Sequence, residues 1–78
     1  MWTVYILACA DGKKYIGCTG DLDSRLAAHR AKQVKSTCNR LPVELITYIC
    51  FTNKYKAFNF ERYIKSGSGH AFMNKRLV

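Results

Sequence analysis

Two phenols, Tyr5 and Tyr15, one guanidinium, Arg25, and one carboxylate, Glu61, have the side-chain chemistry needed to cut a phosphodiester. A carboxylate can hold a divalent cation, a guanidinium can take up charge developing on a phosphate, and a phenol can help activate water. Their spacing separates them widely along the chain. Any shared site therefore depends on elements that bring the opening residues and residue 61 together.

The composition favours a polyanionic partner for such a site. Thirteen Lys and Arg against five Asp and Glu leave a formal charge of +8 on 78 residues, a density that attracts nucleic acid. The charges run from Lys13 to Arg76 with no like-charge block longer than two. A basic membrane-surface protein would instead concentrate them in a tail or a cationic helical face. No hydrophobic run is long enough to span a bilayer.

A chain of 78 residues has room for one domain, here expected to occupy 1–78, burying roughly 60% of the surface its unfolded chain exposes. Cys9, Cys18, Cys38 and Cys50 contain no Cys-x-x-Cys spacing, and Met1-Trp2-Thr3 opens a strand-like run without a basic leader. Reduced thiols in a cytoplasmic protein are expected, acting mostly as small buried apolar fillers.

Trp2 to Ala8 and Tyr15 to Cys18 are rich in strand-forming residues and flank the turn signal Asp11-Gly12, so the chain should open with a β-hairpin. A cap within Thr19–Asp21 should start a first helix that carries Leu22, Arg25, Leu26 and His29 on one stripe and fades near Gln33. Val34 to Leu41, before Pro42, reads as a loop bearing Lys35 and Arg40. Val43 to Phe51 should be a third strand, and Asn53 can cap a helix that stops at Ser66-Gly67-Ser68-Gly69. A last short helix should run from His70 to the end.

Whether the phenols can meet depends on the turn. A two-residue loop pairs Ala8 with Tyr15 and sends them to opposite faces. A three-residue loop, Ala10-Asp11-Gly12 with Gly12 left-handed, pairs Leu7 with Tyr15 and Tyr5 with Gly17. Only the second register puts both hydroxyls on one side. Gly17 opposite Tyr5 would then leave open space for a ligand to reach the phenol.

Arg25 starts beside the apolar seam of its helix, where its long side chain can reach over the sheet and bind a phosphate bidentately. His29 shares that edge as packing, cap or catalytic residue. Glu61 sits among Ala57, Phe58, Phe60 and Ile64 where the pattern calls for an apolar residue. It must face a cation there, either Arg25 or Arg62 in a salt bridge or a hard divalent ion, Mg²⁺ before others. The Gly-Ser run could offer N–H groups to a phosphate, although a helix stop and restart needs the same residues.

With these residues in view, the chain resembles the GIY-YIG endonuclease superfamily over nearly its whole length. Thr3-Val4-Tyr5 stands in place of the first tripeptide, Tyr15-Ile16-Gly17 matches the second letter for letter, and Gly17 to Leu26 is similar to the strand-to-helix passage ending in the family's arginine. Glu61 to Phe72 resembles the tail of the small stand-alone bacterial members with a URI-type domain. The resemblance implies an α+β fold in which a three-stranded antiparallel sheet is flanked by three helices in the order β-β-α-β-α-α.

It further implies a DNA endonuclease with one Mg²⁺ or Mn²⁺ on Glu61, Arg25 as electrostatic stabiliser, and Tyr5 or Tyr15 helping to activate water. His29 matches a position that some members fill with histidine, and Asn74 a polar residue near the end of several. Gly17, Lys35, Arg40, Lys65 and Asn74 are the positions expected to touch nucleic acid. Cys18 stands where some repair members carry a lysine held to lower the tyrosine pKa. The rival reading is a catalytically silent nucleic-acid-binding module, or a nuclease subunit whose protein partner supplies specificity.

Overall fold

In the computed structural model, which describes residues 1–77, the chain runs β1 (Trp2–Cys9), β2 (Lys14–Thr19), α1 (Leu22–Arg30), β3 (Val43–Phe51), α2 (Lys54–Ile64) and α3 (Gly67–Arg76). The sheet is antiparallel with strand order β2-β1-β3. This is the α+β arrangement expected from the sequence. Central β1 is covered on both faces, which is why Val4 to Leu7 is an unbroken apolar run with both alternating sets buried.

Alternation along β1 builds two cores. Val4 and Ile6 pack with Ile16, Ala57, Ile64 and Met73 beneath α2 and α3, while Tyr5 and Leu7 pack with Leu26 beneath α1. Burying each large aliphatic side chain here stabilises the fold by about 1.5–3 kcal/mol. Leu45 pairs with Leu7 and Thr47 with Ile6, leaving Ile46 as an extra residue in a bulge of edge strand β3.

The hairpin takes the three-residue loop. Gly12 has φ +83°, its N–H donates to the Cys9 carbonyl (3.0 Å), and the Cys9 N–H donates to the Lys13 carbonyl (2.9 Å). Tyr5 therefore pairs with Gly17 and Leu7 with Tyr15. Asp21 caps α1 and Asn53 caps α2 through side-chain oxygens that accept N–H groups of the first turn.

Three expectations need correction. Helix α1 ends at Arg30, short of Gln33, because Lys32 turns left-handed (φ 62°) and the Gln33 N–H closes back on the Ala28 carbonyl at 2.9 Å. Helix α3 begins at Gly67, not His70, because the Ser66 hydroxyl caps it by accepting the Gly69 N–H (3.2 Å); its expected run to the end reaches Val78, outside the described residues. The Gly69 N–H is thus already engaged. Of the cysteines, all free thiols, Cys9 is buried, Cys18 and Cys38 are half-buried and Cys50 is exposed, because three of them sit on edge strands or the long loop.

Candidate active site

Tyr5, Tyr15 and His29 meet between the sheet and α1. The Tyr5 and Tyr15 ring centroids are 6.2 Å apart, and the His29 ring lies 5.7 Å from the first and 5.1 Å from the second. Strand register supplies the tyrosines, and the three-residue step from Leu26 to His29 along α1 supplies the imidazole. Arg25, one turn before His29, is exposed at the rim and near enough for both phenols to raise its pKa.

The Tyr5 hydroxyl lies 2.9 Å from His29 Nε2, and His29 Nδ1 lies 2.7 Å from Thr37 Oγ1. All three residues are fully buried. Thr37 has one hydroxyl proton, which it donates to the Val34 carbonyl (3.5 Å). Both ring nitrogens of His29 are thus engaged, Nε2 by the Tyr5 hydroxyl and Nδ1 by the Thr37 hydroxyl. Burial, with the charge of Arg25 adding to it, lowers the His29 pKa and keeps the ring neutral. Burial also pushes the Tyr5 phenol up to about 12, outweighing the opposing pull of Arg25.

Gly17 does not leave a channel to Tyr5. A Cβ there would overlap the Tyr5 ring and hydroxyl, so the space opposite the phenol is filled by the phenol itself. The expected open approach is therefore closed, and Tyr5 sits under the backbone of β2. Tyr15, half-buried, is the tyrosine nearer to solvent.

Glu61 lies on α2, which packs against the face of the sheet opposite α1. The four chemical side chains thus do not share one face. Glu61 stands on the far side of β2 from the phenols: its charge, secondary to burial, raises the pKa of Cys18, which packs in the core beneath α2 and α3. Its counter-ion is neither Arg25 nor Arg62 but Lys65, one turn on, with Nζ 3.2 Å from Oε2. The carboxylate side chain is 19% exposed and the ammonium side chain 52%. Because β2 is an edge strand, a phosphate touching both Glu61 and the Arg25–Tyr15 rim has to lie across that open edge.

Among the described residues no three His, Cys, Asp or Glu side chains converge into a metal cluster. Glu61 alone fits a hard divalent ion whose remaining positions are filled by water and phosphate oxygens, and does not fit a fully protein-caged metal. The Lys65 pair engages Oε2, and pairs of this exposed i,i+4 kind are worth only about 0.3–0.5 kcal/mol.

The remaining expected residues divide. Lys65 and Asn74 line a cleft beside Tyr15. Lys35 is exposed on the loop after α1. Arg40 is committed to structure: Nε pairs with Asp11 Oδ2 at 2.9 Å and Nη1 donates to the Ser36 carbonyl at 3.4 Å, tying the loop to the hairpin turn. Thr37 escaped sequence reading, since a threonine inside an aperiodic polar loop carries no periodic signal.

Residues 1–76 match the model of the GIY-YIG catalytic domain. The chain is 42% identical over 67 residues to a UPF0213 protein of Lacticaseibacillus paracasei, covering 85% of this chain and 75% of that one. It is 45% identical over 62 residues to a UPF0213 protein of Lactococcus lactis subsp. cremoris, covering 78% of this chain and 63% of that relative. The solution NMR structure of a UPF0213 protein from Bacillus halodurans superposes with a TM-score of 0.61 at 33% identity, covering 99% of this chain and 87% of that one. The domain match implies nuclease chemistry on nucleic acid, of a kind that generally depends on a divalent metal. On that match and these relatives, the chain belongs to the GIY-YIG family.

Proposed function

We propose that residues 1–78 form one catalytic unit that hydrolyses DNA phosphodiesters with a single divalent ion, Mg²⁺ or Mn²⁺, at Glu61. The observation that carries this reading is the meeting of Tyr5, Tyr15 and His29 under an exposed Arg25, beside an edge strand with a lone carboxylate beyond it. When bound, the ion would supply Lewis-acid neutralisation of phosphate charge.

The protein's own groups divide the remaining work. Arg25 binds non-bridging phosphate oxygens and takes up the charge that grows on them. Tyr15, the less buried phenol, orients the attacking water. Tyr5 is neutral and sealed, so its role is positional: its hydroxyl, 2.9 Å from His29 Nε2, holds the imidazole against Tyr15, and Thr37 holds the ring at Nδ1. The long loop thereby positions a group it does not itself present to substrate.

Glu61→Gln tests the reading. Nicking of labelled DNA with Mg²⁺ or Mn²⁺ should fall by at least about 10²-fold, with DNA affinity in chelator unchanged. Cleavage by the variant at the wild-type rate, or its absence from the wild-type protein under all metal conditions, would leave the binding-module reading in its place.

A further inference from the structure

A cleft of about 550 Å³ opens between the hairpin end of β2 and α3. Lys13, Lys14 and Lys65 bring three ammonium groups to it, His70 and Asn74 add polar side chains, and no Asp or Glu lines it. Ile16 and Met73, both from the core beneath α2 and α3, form an apolar floor, and Tyr15 closes one side. Through Tyr15 and Lys65 the cleft adjoins the candidate active site, since Lys65 is also the partner of Glu61.

We infer that this cleft is a subsite for one nucleotide of an unpaired strand, its phosphate held by Lys13, Lys14 and Lys65 and its base laid against the Ile16–Met73 floor. The inference rests on the nuclease reading and names the form of its substrate. The volume falls in the ordinary range for small-ligand pockets, roughly 300–1,000 Å³. A bare phosphate gains nothing from an apolar floor. A duplex cannot use one either, because its base faces are hidden in the stack and it offers chiefly phosphate and sugar to a basic surface. An unstacked nucleotide uses both halves of the cleft.

A second cavity of about 520 Å³ provides the comparison, because Arg30 and Lys32 line it together with Leu41, Pro42 and Val43. It is likewise basic, but no residue of the candidate site lines it.

Binding is measured in chelator, so that no cutting occurs, by fluorescence anisotropy of a labelled ten-nucleotide single strand and of the same sequence as a blunt duplex. Wild type is compared with the Lys13→Gln, Lys14→Gln double variant and with an Arg30→Gln, Lys32→Gln double variant. All four positions are exposed, so the substitutions leave the core intact. Wild type should prefer the single strand. The Lys13/Lys14 pair should weaken that binding about tenfold and lower the salt slope by up to about 0.7, the contribution of the one phosphate that is no longer neutralised. The Arg30/Lys32 pair should change it less than about threefold.

Equal losses from both pairs would show charge spread over the whole surface and overturn the subsite. So would wild-type binding to the blunt duplex as tight as to the single strand. Failure of the nuclease reading looks different: Glu61→Gln would then cut like wild type, or nothing would cut, while the chelator measurements kept their pattern.

Discussion

At position 5 burial and charge pull the phenol in opposite directions, and burial prevails. The folded pKa is raised from 10.0 to about 12, so the proton is held more tightly in the folded chain than in the unfolded one. The associated stability is therefore complete below pH 10 and is lost as pH rises from there through about 12. In a spectrophotometric titration, one of the five tyrosines should ionise late, and Tyr5→Phe should remove that late step. Five tyrosines ionising together in the folded protein would contradict the sealed phenol. Turn chemistry offered the pairing of Tyr5 with Gly17 as one of two registers, which the fold then decided, and gave no sign of the filling of the space between them. Register fixes which residues face each other, but the reach of a ring across a strand depends on its rotamer.

Helices α2 and α3 show how a short junction is built from hydroxyl and glycine. Ser66 and Gly69 do different jobs in it: the hydroxyl caps α3, and the missing side chain lets the first turn of α3 press on the end of α2. A Cβ at Gly69 would collide with the Tyr63 carbonyl and the Ile64 Cα, whereas one at Gly67 would meet open space. Gly69→Ala should therefore cost about 1–3 kcal/mol in urea unfolding through overpacking. Gly67→Ala, in the same helix, should be neutral or stabilising by about 0.5–1 kcal/mol. Equal effects from the two would remove the close approach as the reason for Gly69. The Gly-Ser run reads in sequence as a break between helices, and the start of α3 within it was missed because a serine cap needs no apolar periodicity to announce it. Strand β3, with its turn and proline boundaries, was legible to the residue.

Across the whole molecule, the two cores are small and share β1 as a common wall. Trp2, the one tryptophan, packs against the core beneath α2 and α3, while Leu26 packs beneath α1 on the far side of the sheet. Leu26→Ala should lower stability by about 2–5 kcal/mol. If the layers unfold as one, Trp2 fluorescence should report the whole of that shift despite lying in the other core. A Trp2 transition left at the wild-type denaturant midpoint would mean that the layers melt separately. The basic charge that suggested nucleic acid is likewise a property of the whole chain, and is brought to a surface by the fold: Lys13 and Lys14 reach the cleft from the hairpin, and Lys65 and His70 from the α2–α3 junction. Sequence put Arg25 and His29 on one helix edge and allowed the phenols to meet in one of two hairpin registers, because register and helix spacing are local. It could not place Glu61 across β2, because which face of a sheet a later helix covers is decided by packing.

The close approach of Gly17 to the Tyr5 ring bears on how a mutational screen of this chain should be interpreted. Every side chain larger than hydrogen at position 17 displaces an aromatic ring from the interior, so nearly all replacements there should abolish cutting while leaving a misfolded or loosened protein. On the nuclease reading proposed above, a screen scored by activity alone would rank that glycine with Glu61, although what its missing side chain accommodates is the Tyr5 ring. Scoring soluble yield beside turnover separates the two kinds of failure.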